Sequence, residues 1–157
     1  MPDPKQPAEV SPEVRRAFVG RPPGRLMNRG HPVGDFLEAH EWDLLEERRG
    51  FLRLRVHLPE RVKNPRGQLF GGFTPTYVDL IALLTCRAGE SAEGPRHWLA
   101  TMAMHVDYLE PITDGFRVES QLLRKRGRTS WVETRFLDEH GTLLANAHTT
   151  LREARGS

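Results

Sequence analysis

From residue 33 to residue 151 the apolar positions follow two periods. In Phe51–Leu58 the residues Leu52, Leu54 and Val56 alternate with Phe51, Arg53 and Arg55. A period of two predicts a strand. Glu41–Glu47 precedes it across an Arg48-Arg49-Gly50 turn and reads as its hairpin partner. A short helix is expected over Val33–Ala39. A loop rich in proline, asparagine and glycine runs from Pro59 to Gly72, and one long apolar segment covers Phe73–Ala88. Three or four further strands follow almost without interruption: His97–Leu109, Phe116–Lys125, Thr129–Asp138 and Leu143–Leu151. Gly115, Gly127 and Gly141 mark the turns between them. Strands, one helix and then an antiparallel meander make an α+β layout, with a single helix packed on an antiparallel sheet.

Pro75 sets where the helix can begin, because proline is tolerated in a first turn and costly further in. Thr74 is the expected cap and Pro75 the first helical residue. The stretch Thr76–Cys86 is apolar on nearly every face, which predicts a buried helix. Asp79 is its one charge. A buried carboxylate without a partner is expensive. It is therefore either paired with an arginine, or turned out through a gap in the sheet, or retained for chemistry near a helix start. Gly71-Gly72 just before the helix is a plain turn or an oxyanion-binding backbone. Its spacing fits neither nucleotide loop, GxxxxGK[ST] or GxGxxG.

Before residue 33 the pattern is lost. Seven of the twelve prolines lie in residues 1–32. This segment is expected to be an extended, partly mobile arm with a short helix at Ser11–Val19. The division is thus an arm over 1–32, one domain over 33–152 and a tail over 153–157. At 157 residues one domain is expected, at about 150 residues per domain. No apolar run approaches the roughly 18 residues of a membrane span. The first residues lack a secretory pattern, so a cytoplasmic protein is expected. The 23 Lys and Arg exceed the 21 Asp and Glu by only two, too little to imply nucleic acid.

Other chemistries find little support. The single cysteine, Cys86, excludes an internal disulfide and a zinc site of paired cysteines. The seven histidines form no HxxxH pair, so no metal is expected. Ser91 and Ser130 lack a GxSxG context. Arg124-Lys125-Arg126-Gly127-Arg128 is either a solvated hairpin or a grip on phosphates.

These residues resemble a known family. Asn64-Pro65-Arg66-Gly67-Gln68-Leu69-Phe70-Gly71-Gly72, then Thr74, Thr76 and Asp79, is similar to the NxxGxxHGG…T…D signature of hotdog-fold acyl-CoA thioesterases of the PaaI (phenylacetate-degradation) type. Thr101, the run Asp107–Pro111, Leu123–Thr129 and Gly141–Ala147 resemble its later strands and its Gly-basic hairpin. The resemblance implies a long helix wrapped by a curved antiparallel sheet. It implies hydrolysis of an acyl-CoA without metal or cofactor, in a homodimer or homotetramer that binds neither nucleic acid nor membrane. It makes Asp79 the general base or nucleophile and has the Gly71 N–H polarise the carbonyl. Asn64 holds water or carbonyl, and Thr101 positions the water. Asp79 and Gly71 of one site come from different subunits. Phe70, Gly72, Tyr108, Lys125, Arg126, Gly127, Arg128, Thr129 and Ser130 meet the substrate or its coenzyme A.

One departure stands out. The family usually has His before Gly-Gly, and this chain has Phe70, which neither donates nor accepts a proton. The alternative function is a non-catalytic hotdog module that binds an acyl-CoA or a related ligand. A dehydratase or hydratase would want a paired Asp and His on one loop, which the sequence lacks. Phe70, Phe73, Tyr77 and Leu83 are the expected determinants of acyl pocket length.

Overall fold

The computed structural model describes residues 9–90 and 97–154. The first eight residues of the expected arm, the last three of the expected tail and Ser91 lie outside them. Helix α1 is Pro12–Arg15 and α2 is Pro32–Phe36. The hairpin is β1 (Asp43–Arg48) and β2 (Phe51–Val56). Helix α3 spans Thr74–Arg87. The meander is β3 (Leu99–Tyr108), β4 (Phe116–Arg126), β5 (Thr129–Leu137) and β6 (Leu143–Glu153).

All six strands form one antiparallel sheet in the order β1-β2-β4-β5-β6-β3. The sheet curves around α3 in the hotdog arrangement. Leu52, Leu54, Val56, Phe116, Val118 and Phe136 point inward and meet Tyr77, Val78 and Ile81 of α3 in one core. Tyr77 stacks on Trp42, with ring centroids 5.6 Å apart, and meets Phe116 edge-on. It therefore belongs to the core rather than to an acyl pocket. Its hydroxyl has no partner among the described residues, and burial pushes it above the usual tyrosine range.

A polar chain ties the helix to the sheet. Thr85 Oγ1 donates to the Ile81 carbonyl at 2.7 Å and lies 2.7 Å from Ser120 Oγ, which is 3.1 Å from Thr134 Oγ1. All three residues are buried. Their satisfied hydroxyls fix the helix over β4 and β5, since an unpaired one would cost about 1–3 kcal/mol.

Three local expectations need correction. Phe73, not Thr74, caps α3. A 3₁₀ turn at Gly71–Phe73 runs straight into the helix, so Thr74 is its first residue and lies buried. The Val33–Ala39 helix is broken into α2 and a 3₁₀ turn at Ala39–Glu41, because Glu38 adopts a left-handed φ of 54°. The Ser11–Val19 helix is a single turn capped by Ser11. The segment around it is packed rather than extended. Ala17, Leu26 and Met27 are fully or nearly buried in the main core, and Arg21 ion-pairs with Glu47 at 2.5 Å. Scattered apolar residues among prolines carry no period, so the sequence pattern hides this packing. No helix among the described residues is long and apolar enough to cross a membrane.

Candidate active site

Asp79 is the sixth residue of α3, past the first turn in which a helix dipole acts. Its neighbours at helical spacing, Leu83 and Cys86, pack, like Leu99 of β3, against the cluster of Ala82, Val132 and Leu151. Asp79 therefore points at the sheet's last strand. It is half-buried, not buried as the sequence pattern suggests, because β3 lies at the edge of the sheet. A register shift in β3 between Thr101 and Ala103 leaves Thr101 aimed at the helix, a usual effect of bulges. Thr101 Oγ1 donates a short hydrogen bond to Asp79 Oδ1. Of the proposed catalytic set, these two residues are brought into direct contact.

The glycine turn is placed from the other end of β3. Tyr108, the last residue of that strand, donates from its hydroxyl to the Gly71 carbonyl at 2.7 Å. This holds the Gly71–Gly72 peptide, while the Phe70–Gly71 peptide, which carries the Gly71 N–H, is held through its Phe70 carbonyl by the Phe73 N–H at 2.9 Å. The exposed Gly71 N–H has no acceptor among the described residues. Neither Gly71 nor Gly72 has a positive φ. A Cβ at Gly71 would meet only Tyr108 Cε1 at 3.7 Å, ordinary contact, whereas one at Gly72 would meet the Phe70 ring at 3.0 Å. Gly72 is thus the glycine that space requires.

Asn64 organises the preceding loop. Its Oδ1 accepts from the N–H groups of Arg66 at 2.9 Å and Gln68 at 3.0 Å. The Asn64 amide nitrogen, 3.5 Å from Gln68 Oε1, is the part left for a ligand. Phe70 is 54% exposed. It stands edge-on to Phe73, which in turn packs on Phe36. The residue in the histidine's place extends an aromatic surface beside the glycine turn.

The basic hairpin lies at the far end of α3. Cys86 is seven residues beyond Asp79, about 10 Å along the axis at ~1.5 Å per residue. There a cleft of about 580 Å³ is lined by Arg49, Arg87, Lys125, Arg128, Cys86 and Ser130, among others. Arg126 does not line it, since successive strand residues face opposite sides of a sheet. Gly127 makes the tight turn with a φ of 58°, followed by Thr129 at the start of β5. Arg128 is held by the Glu153 carbonyl. Arg49 and Arg87 are cleft cations that sequence reasoning missed. Arg87, as a basic residue at a helix end, gave the only available signal. Burial raises the Cys86 thiol to about 11, against a smaller opposing hydrogen bond from Ser130. A thiol so protonated is a poor nucleophile. No group of three or more His, Cys, Asp or Glu that could hold a metal exists among the described residues.

A long helix wrapped by one antiparallel sheet, with a carboxylate facing the edge strand, defines the hotdog class. Residues 66–145 match the family model of the thioesterase superfamily, and the chain belongs to that superfamily. Solved structures agree on the fold. Zebrafish thioesterase superfamily member 2 is 20% identical, with a TM-score of 0.62, covering 74% of this chain and 83% of its own. A Streptococcus mutans protein solved with acetyl-CoA is 17% identical, with a TM-score of 0.60, covering 73% of this chain and 90% of its own. A hypothetical thioesterase from Streptococcus pneumoniae solved with coenzyme A is 15% identical, with a TM-score of 0.60, covering 74% and 92%. No curated protein matches the sequence.

Proposed function

We propose that this protein hydrolyses an acyl-CoA thioester to the free acid and coenzyme A, in the manner of PaaI-type enzymes and without a cofactor. The observation that carries the reading is the Thr101–Asp79 hydrogen bond. It engages Oδ1 and leaves Oδ2 free to take a proton from water. The resulting hydroxide adds to the thioester carbonyl carbon. The C–S bond then breaks, and the thiolate takes the proton back from Asp79. In the nucleophilic variant Oδ2 itself adds to the carbonyl carbon, the C–S bond breaks to expel the thiolate and leave a mixed anhydride, and water then hydrolyses the anhydride to the free acid and the Asp79 carboxylate, its released proton going to the thiolate. In both, negative charge develops on the carbonyl oxygen, where a preorganised N–H acts best. The Gly71 N–H, in a peptide held by the Phe73 N–H to Phe70 carbonyl bond, supplies it, and Asn64 Nδ2 holds the water or the carbonyl.

The site is completed by a second copy. β3 is a ten-residue edge strand whose outer side pairs with no other strand among the described residues. Long exposed edges invite pairing with another chain. Joining two β3 edges brings the Gly71 turn of one subunit toward Asp79 of the other, as the family resemblance implies. The deciding experiment is a thiol-release assay across a panel of acyl-CoAs. Turnover of some of them supports hydrolysis; tight binding with no thiol released would support the non-catalytic module.

Two substitutions probe the parts. Thr101→Val keeps the shape and deletes the hydrogen bond. A drop in kcat of about tenfold is expected, smaller than loss of the base, because Asp79 keeps its charge and loses only its orientation. The coenzyme A phosphates are assigned to the cleft at the end of α3. Lys125→Ala is expected to raise KM several-fold with kcat nearly unchanged, since remote contacts supply uniform binding. A short thioester lacking the nucleotide should show no such change.

A further inference from the structure

We infer that the slot between the N-terminal segment and α3 receives the end of a straight acyl chain and so sets which chain length is hydrolysed. The inference rests on the acyl-CoA reading above. Leu80, Leu83 and Leu84 form the slot's α3 wall, and Val10, Val14 and Phe18 form the other. Val10, Leu80 and Leu84 are buried. Trp98, 38% exposed, completes the lining just before β3. The N-terminal wall is held in place. Glu9 bridges to His97, and the Asn28 N–H donates to the Ala17 carbonyl at 2.6 Å. Of the four residues expected to set acyl length, Leu83 alone lines the slot.

The lining selects an apolar occupant. Its two polar members are engaged elsewhere. His31 Nδ1 accepts from the Gly34 N–H at 3.1 Å, and Arg87 donates to the His97 carbonyl. Burial lowers His31 below the usual histidine range, against the pull of Asp35, so it is a neutral ring at pH 7. It stands edge-on to Phe18, with centroids 6.0 Å apart. A water needs two or more polar partners to stay in such a place, and a charged group would be costly there. The slot measures about 30 Å³, close to the volume of one small group. A terminal methyl fits that space. A phenyl ring does not, since benzene takes a cavity of about 150 Å³.

The slot is within reach of the reacting carbonyl. Leu83 lies one turn beyond Asp79 on the same face of α3, and Leu80 is adjacent to it in sequence. Leu80, Leu83, Leu84 and Arg87 centre about a quarter turn around the helix from Asp79 and ~7 Å further along it. A chain of roughly eight carbons, at ~1.3 Å each, covers that path from a carbonyl at Asp79. Arg87 also lines the cleft assigned to the coenzyme A phosphates. Both arms of a substrate folded at its thioester thus run toward the same end of α3, on either side of Arg87.

The test is kcat/KM for straight-chain acyl-CoAs from acetyl to tetradecanoyl, with phenylacetyl-CoA beside them, on the wild type, Val14→Trp and Trp98→Ala. The wild type is expected to gain about fourfold per added methylene up to roughly eight carbons, as each is buried, and to lose activity beyond that. Val14→Trp fills the slot and should move the peak about two carbons shorter, whereas Trp98→Ala enlarges it and should move the peak about two carbons longer. Acetyl-CoA does not reach the slot and should be turned over by all three within about twofold. If Val14→Trp disturbs α1 and fails that control, Trp98→Ala alone decides. A peak that does not move, or phenylacetyl-CoA preferred over every straight chain, would overturn the inference and leave hydrolysis intact. If no acyl-CoA is turned over, the hydrolysis reading fails, and the same series read as Kd by calorimetry still decides the slot. A peak in affinity that moves with the variants supports it, and a flat series overturns it.

Discussion

Asp79→Asn is expected to lower kcat by about 10²-fold or more, the range for losing a general base. The two side chains are nearly isosteric. The asparagine carbonyl oxygen still accepts from Thr101 Oγ1, so the contact between α3 and β3 survives. What disappears is the capacity to take a proton or to attack a carbonyl carbon. Since Asp79 is half-buried and hydrogen-bonded, the change should move stability by no more than about 1 kcal/mol, one ordinary hydrogen bond. Kinetics with the best acyl-CoA of the panel, alongside a melting curve, separate the two roles. Normal specific activity in a variant that melts early would make Asp79 a structural partner of Thr101, and the binding module would become the better account.

The fold was legible because its signals are local. Leu52, Leu54 and Val56 alternate, glycines punctuate the meander, and the all-apolar run after Pro75 has room for one helix. The packed N-terminal segment was not legible. Met27 and Leu26 are core residues, yet they sit between prolines and arginines without period, and only the tertiary structure pulls them in. The start of α3 moved by one residue for a similar reason. Thr74 is a good cap by type, but the 3₁₀ turn at Gly71–Phe73 already supplies helical backbone before it.

The site was half legible. A lone carboxylate in an apolar helix marked Asp79 as unusual, and the structure places Thr101 against it. The burial expected of Asp79 failed because strand order is not written in local pattern. Nothing in residues 99–108 says that β3 ends the sheet. The cleft at the end of α3 gathers Arg49 from the β1–β2 turn, Arg87 from the helix and Lys125 from the hairpin. These lie far apart in sequence, so only the hairpin cluster announced itself. In sequence Phe70 is only a departure from the family pattern; the fold sets it against Phe73, which packs in turn on Phe36.

The edge of β3 carries the second large prediction. The opposite edge, β1, is six residues long and is bridged at Asp43 by Arg25, whose side chain also ion-pairs there at 3.0 Å. Among the described residues β3 has only a single bridge, Glu9 to His97, just before it begins. If the site is shared between subunits, breaking the β3 edge should stop catalysis without unfolding the chain. Proline does this selectively, because successive N–H groups of a strand alternate between its two sides. Of Met104→Pro and His105→Pro, one removes a bond to β6 and should unfold or weaken the chain. The other removes only an outward donor and should give a folded monomer. That monomer is expected to lose at least about 10²-fold in kcat/KM, the effect of one missing oxyanion donor, because Asp79 no longer has the Gly71 N–H of a second subunit opposite it. Circular dichroism, light scattering and the thiol-release assay on both variants read fold, mass and activity separately. A folded monomer with full activity would place the whole site within one chain and end the shared-site mechanism.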